Sequence, residues 1–203
     1  MTDQIKARGE ITTRWVGSSE VEDCRTHNTL SYTAADVMAA AYGGDATRIP
    51  KYIGFLYGGG SKPAKLPVID RDMDWAKVQE LANFVHGNIL VVRFSNTPSI
   101  EKETILESTD VTVAPYKGNV VVFHAVTRTG DDGEYAEDTS GQSDYATKLE
   151  SGMYIYRTIL LGDLGDCGKG YTVLGMADLK KNGTYRQKPS DYELAVDWRV
   201  TFN

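Results

Sequence analysis

Apolar and polar positions alternate from Tyr192 to Phe202. Tyr192, Leu194, Val196, Trp198, Val200 and Phe202 fall on one face, while Glu193, Asp197, Arg199 and Thr201 fall mostly on the other. A period of two is the repeat of a half-buried strand, because successive side chains leave a strand on opposite faces. Residues 8–17 alternate in the same way, with Ile11 and a Trp15/Val16 pair at the expected buried part. The runs Tyr52–Tyr57, Ile89–Phe94, 102–114, Val120–Thr127, Met153–Leu161 and Tyr171–Leu179 have the length and β-branched or aromatic content of further strands. His27 to Leu30 reads as a strand or an extended arm.

Two stretches break this rhythm and carry helical spacing instead. Ala34, Val37, Met38 and Ala41 share one face behind an N-cap at Thr33 with Asp36 in the first turn, and Gly43-Gly44 ends the segment. Trp75, Val78, Leu81, Ala82 and Val85 recur at the same spacing behind Asp72 or Asp74, which predicts a second short helix through Phe84. Glycine, proline and charge fill 58–72 and 128–147, which are long for loops of a compact domain. Many strands with one or two short helices predict a mainly β fold, a jelly-roll-like β-sandwich, as a single domain over 1–203.

A chain of 203 residues can bury one such core. Its net charge of −6 comes without any basic block, which argues against binding to nucleic-acid phosphate. No apolar run reaches the length of a membrane span, and the first residues lack the apolar core of an export signal. Cys24 and Cys167 stand far apart, and a chain with a full core needs no disulfide between them.

The glycine-rich run 162–170 has Asp163 where a phosphate-binding loop needs glycine, and Gly170 where it needs Ser or Thr. The acidic turn 130–134 misses the spacing of a calcium loop. His27, His86 and His124 have no metal-ligand spacing, and no serine sits in a nucleophile elbow. Neither a cofactor nor a metal nor an enzymatic activity is therefore expected. The twelve tyrosines are the more telling statistic, since tyrosine serves both half-buried strands and protein interfaces. Trp15, Tyr52, Phe55, Trp75 and Trp198 are the expected core or interface anchors.

The order of segments resembles that of tailed-bacteriophage virion proteins. The resemblance rests on His27-Asn28-Thr29-Leu30, the 34–42 helix, Gly43-Gly44-Asp45 and the strand Tyr52-Ile53-Gly54-Phe55-Leu56-Tyr57-Gly58. It continues through Val120–Ala125, Tyr154–Leu161 and Val173–Leu179 to the closing Lys188-Pro189-Ser190-Asp191-Tyr192-Glu193-Leu194-Ala195-Val196-Asp197-Trp198. It implies a virion structural protein, made in the host cytoplasm, from the tail tip, baseplate or fibre-attachment region. Copies of itself, as a trimer or ring, and other virion proteins are the implied partners. Capsid decoration, head–tail joining and a receptor-binding module for a host-surface glycan are the alternatives.

Overall fold

The alternating C-terminal segment is a strand from Glu193 to Phe202, and its neighbours on both sides are long antiparallel strands. The computed structural model describes residues 7–16, 26–27, 29–30, 42–44, 49–59, 66–69, 72–93, 99–102, 119–126, 151–164, 170–181, 183–189 and 192–202. In chain order these form β1 (Ala7–Val16), β2 (Thr26–His27), β3 (Thr29–Leu30), β4 (Tyr52–Gly58), α1 (Trp75–Phe84), β5 (Asn88–Arg93) and β6 (Ser99–Lys102). They continue with β7 (Asn119–Val126), β8 (Tyr154–Leu164), β9 (Tyr171–Asp178), β10 (Lys180–Lys181), β11 (Thr184–Gln187) and β12 (Glu193–Phe202).

The strands make two antiparallel sheets. The first is five-stranded in the order β2-β1-β12-β7-β6, so the first and last long strands lie side by side. The second is seven-stranded along β10-β11-β8-β4-β5, with β9 also on β8 and β3 on β9. Ile11, Trp15, Phe123, Leu194, Val196 and Trp198 of the first sheet meet Ile53, Phe55, Leu90, Ile155, Leu160 and Leu174 of the second in one apolar core. This is the mainly β, sandwich-like architecture expected from the alternation.

The outer face of the second sheet carries a second core. Trp75, Val78, Leu81 and Ala82 of α1 cover Leu56, Ile89, Val91, Tyr156, Ile159 and Val173, and Leu66 and Met73 join them from the preceding segment. That second layer explains why Tyr52–Gly58 and Tyr171–Asp178 read as nearly continuous apolar runs: their strands are covered on both faces. Asp74 begins α1 by accepting a hydrogen bond from the Lys77 amide at 2.8 Å, and the chain leaves the helix through His86 at φ 48°.

Several expectations shift at their ends. The expected loop 162–170 starts later, because Leu164 still pairs with Tyr171 across an irregular stretch of β8 and β9. Tyr192, expected on the buried face of the last strand, precedes the strand and is exposed, whereas Ala195 on the opposite face is buried. Of the expected helix 34–42, Tyr42 alone is described; it and Gly43 are helical, and Gly44 turns at φ +77°. Of the expected strand 102–114, Lys102 alone is described, and it ends β6 instead of beginning a strand. The rest of both, most of the 58–72 loop, the 128–147 loop, Cys24 and Cys167 lie outside the described residues.

Candidate functional site

On β8, Leu56 of β4 faces Arg157 while the next residue, Tyr57, faces Ile155, so Tyr156 is an extra residue in the ladder. A β-bulge of this kind re-aims the side chains beside it. Here it turns Tyr156 into the outer core. Arg157, which is 1% exposed, is held among groups of that same outer face. Its Nε donates to Asp178 Oδ1 at 2.6 Å, Nη1 approaches the Met176 sulfur at 3.8 Å, and Nη2 donates to the Pro67 carbonyl. One buried guanidinium thus ties β8, the end of β9 and the 66–69 segment together.

The Asp178 carboxylate faces two cations. Its second oxygen lies 3.7 Å from Lys180 Nζ, and that ammonium sits 4.6 Å above the Tyr185 ring. Tyr185 meets Tyr156 edge-on at 5.3 Å, which closes the cluster back onto the bulge. The carboxylate is 30% exposed, so water offsets part of its desolvation, whereas Arg157 has no such relief.

A second polar tie joins the two sheets. Arg186 of β11 donates through Nη1 to the buried Thr13 hydroxyl of β1, and its guanidinium carbon lies 5.2 Å above the Trp15 ring. Close by in sequence, the Lys188 amide donates to the Met153 carbonyl and the Lys188 carbonyl accepts from the Gly152 amide, which seals the turn that leads into β8. The Lys188-Pro189 element of the sequence pattern therefore has a structural job in this chain.

The five expected anchors divide between the cores. Trp15, Phe55 and Trp198 come together between the sheets, and Trp198 is fully buried there. Trp75 is in the outer core, with Tyr52 packed against it; both rings meet Tyr171 edge-on, at 5.0 and 5.2 Å. Gly170 makes that approach possible, since a Cβ there would stand 2.1 Å from Trp75 Cδ1 on a backbone at φ +111°. Tyr57, Tyr156 and Tyr171 are buried within the chain, and Tyr52, Tyr154 and Tyr185 are half-buried against the outer core. Tyr42 and Tyr192 are the exposed tyrosines among the described residues.

Arg157, Asp178, Arg186 and Thr13 stand in no motif of the sequence. A signal for the first existed: Arg157 interrupts the apolar run Tyr154-Ile155-Tyr156 and Ile159-Leu160-Leu161, and a charge there needs a buried partner. The β10–β11 hairpin was also missed, although Asn182-Gly183 is the residue pair that a tight hairpin turn favours and Gly183 has φ +79°. His86 is exposed, and the side chains of His27 and His124 are outside the description. Among the described residues, no group of three or more His, Cys, Asp or Glu is placed to hold a metal ion, and no helix is long and apolar enough to cross a membrane.

The arrangement ties segments of the scaffold to one another. The Arg157 nitrogens are directed at Asp178, Met176 and Pro67, and Arg186 at Thr13 and Trp15. Comparison of the chain with protein-family models, curated proteins and solved structures gives no match.

Proposed function

We propose that this chain is a structural component of a tailed-phage virion, from the tail tip, baseplate or fibre-attachment region, and that it assembles as a homo-oligomer. The observation that carries the reading is the use made of the buried polar side chains. Arg157 and Arg186 fasten strand to strand and sheet to sheet, which fits a structural use of these groups. Support also comes from the order of segments: the strand Tyr52–Gly58, the Val120–Ala125 strand and the closing Lys188-to-Trp198 pattern follow one another as in phage virion proteins.

Quantitative peptide mass spectrometry on purified particles tests this reading. A few copies of the chain per particle match a tail-tip or baseplate component. Hundreds of copies would move the assignment to capsid decoration. Particles that lack the chain would refute a virion role altogether.

A further inference from the structure

β12 stands at the centre of the first sheet. It pairs without a break with β1, from Val16↔Glu193 to Ala7↔Phe202, and with β7, from Val126↔Ala195 to Asn119↔Phe202. Both partners precede it in the sequence. Taken from between them, it would leave two pieces, β2-β1 and β7-β6, and uncover the core that Leu194, Val196, Trp198 and Val200 fill. The slot between β1 and β7 thus matches one element of the chain in backbone register and in apolar shape. A single short connection ties that element to the other sheet. Gln187 ends β11 and Glu193 begins β12, so residues 188–192 cross from sheet to sheet. Lys188 is held there by main-chain hydrogen bonds with Gly152 and Met153, and Pro189 beside it has a fixed φ. Short connections of this kind favour exchange of the element behind them between copies of a chain.

We propose that β12 is exchanged between copies of this chain, the β12 of one copy filling the slot between β1 and β7 of another. The inference rests on the self-assembling reading given under Proposed function and names the element that assembles. The exchanged strand keeps every pair of its ladder and every face of its side chains, because it makes in the neighbour the contacts it makes at home. Trp198 and its apolar neighbours on β12 then become the anchors between copies. Closed and exchanged forms differ at the 188–192 connection, so chain concentration decides between them. Reciprocal exchange closes a pair, and donation from each copy to the next closes a ring.

A cross-strand disulfide in the full chain, made by Thr12→Cys with Asp197→Cys, tests the proposal. The two positions face each other across β1 and β12, and either kind of antiparallel pair keeps its Cα atoms within reach of a disulfide. Equal amounts of isotopically heavy and light chain are unfolded together in urea, refolded at high concentration and oxidised. Peptide mass spectrometry of the isolated oligomer then reads the link between positions 12 and 197. About half of these links should join a heavy chain to a light one. Links confined to one isotope overturn the exchange while the self-assembling reading survives. A glycine-serine insert after Pro189, in the otherwise unchanged chain, gives a second readout that needs no cysteine. The freer connection lets β12 return to its own slot, so the oligomer fraction at equal concentration should fall about tenfold. An oligomer as abundant with the insert as without it overturns the exchange too. Circular dichroism with a thermal melt checks that both variants fold. A wild-type chain that stays monomeric throughout overturns the exchange and the self-assembling reading together.

Discussion

Replacing Asp178 destabilises the fold more than replacing Arg157, although Asp178 is the more exposed partner of the pair. In the Asp178→Ala chain the guanidinium stays at 1% exposure without its carboxylate, and breaking a buried pair from that side costs about 3–5 kcal/mol. In the Arg157→Met chain the stranded carboxylate is 30% exposed and rehydrates, which leaves the loss of charge-assisted hydrogen bonding to Asp178 and of the donor to Pro67 O. That sums to about 2 kcal/mol, since methionine refills much of the volume. Urea unfolding followed by circular dichroism measures both, with the slope checked for constancy. Hydrogen exchange adds a local readout: Arg157→Met releases Pro67, so the amides of Val68 and Ile69 exchange faster in that variant than in Asp178→Ala, while those of β12 do not. Equal costs below about 0.5 kcal/mol, typical of surface substitutions, would refute the role assigned to the buried guanidinium.

Two further outcomes follow from the packing. Gly170→Ala places a methyl group 2.1 Å from Trp75 on a backbone at φ +111°, so it should cost about 3 kcal/mol and change the near-ultraviolet signal of Trp75; an unperturbed melt would contradict the Trp75–Tyr171 packing. Thr158 is fully buried and its hydroxyl has no hydrogen-bond partner among the described residues, so Thr158→Val should stabilise by about 1 kcal/mol; a loss of that size would mean that the hydroxyl is satisfied.

The long strands were legible in the sequence because one or both of their faces are apolar. β1 and β12 show the alternation of strands whose polar side is less covered, while β4 and β9 show the continuous runs of strands covered twice. The helix 75–84 was legible for the same reason, with Asp74 as its cap. Pairing order was not legible, because β1 beside β12 joins the two ends of the chain and no local pattern encodes that. The Arg157 cluster was hidden by the Tyr156 bulge, which shifts the face of a residue without changing the composition around it. Its partners come from residues 67, 176 and 178, and only the folded sheet brings the first of these near the others. Tyrosine count was ambiguous in sequence; in the structure Tyr57, Tyr156 and Tyr171 are committed to the chain's own cores.

Sedimentation velocity of the full chain at micromolar concentration tests the proposed self-assembly. A principal species at twice 22.4 kDa or a higher whole multiple, growing with concentration, is the expected result. A single boundary at the monomer mass across the whole concentration range would contradict it.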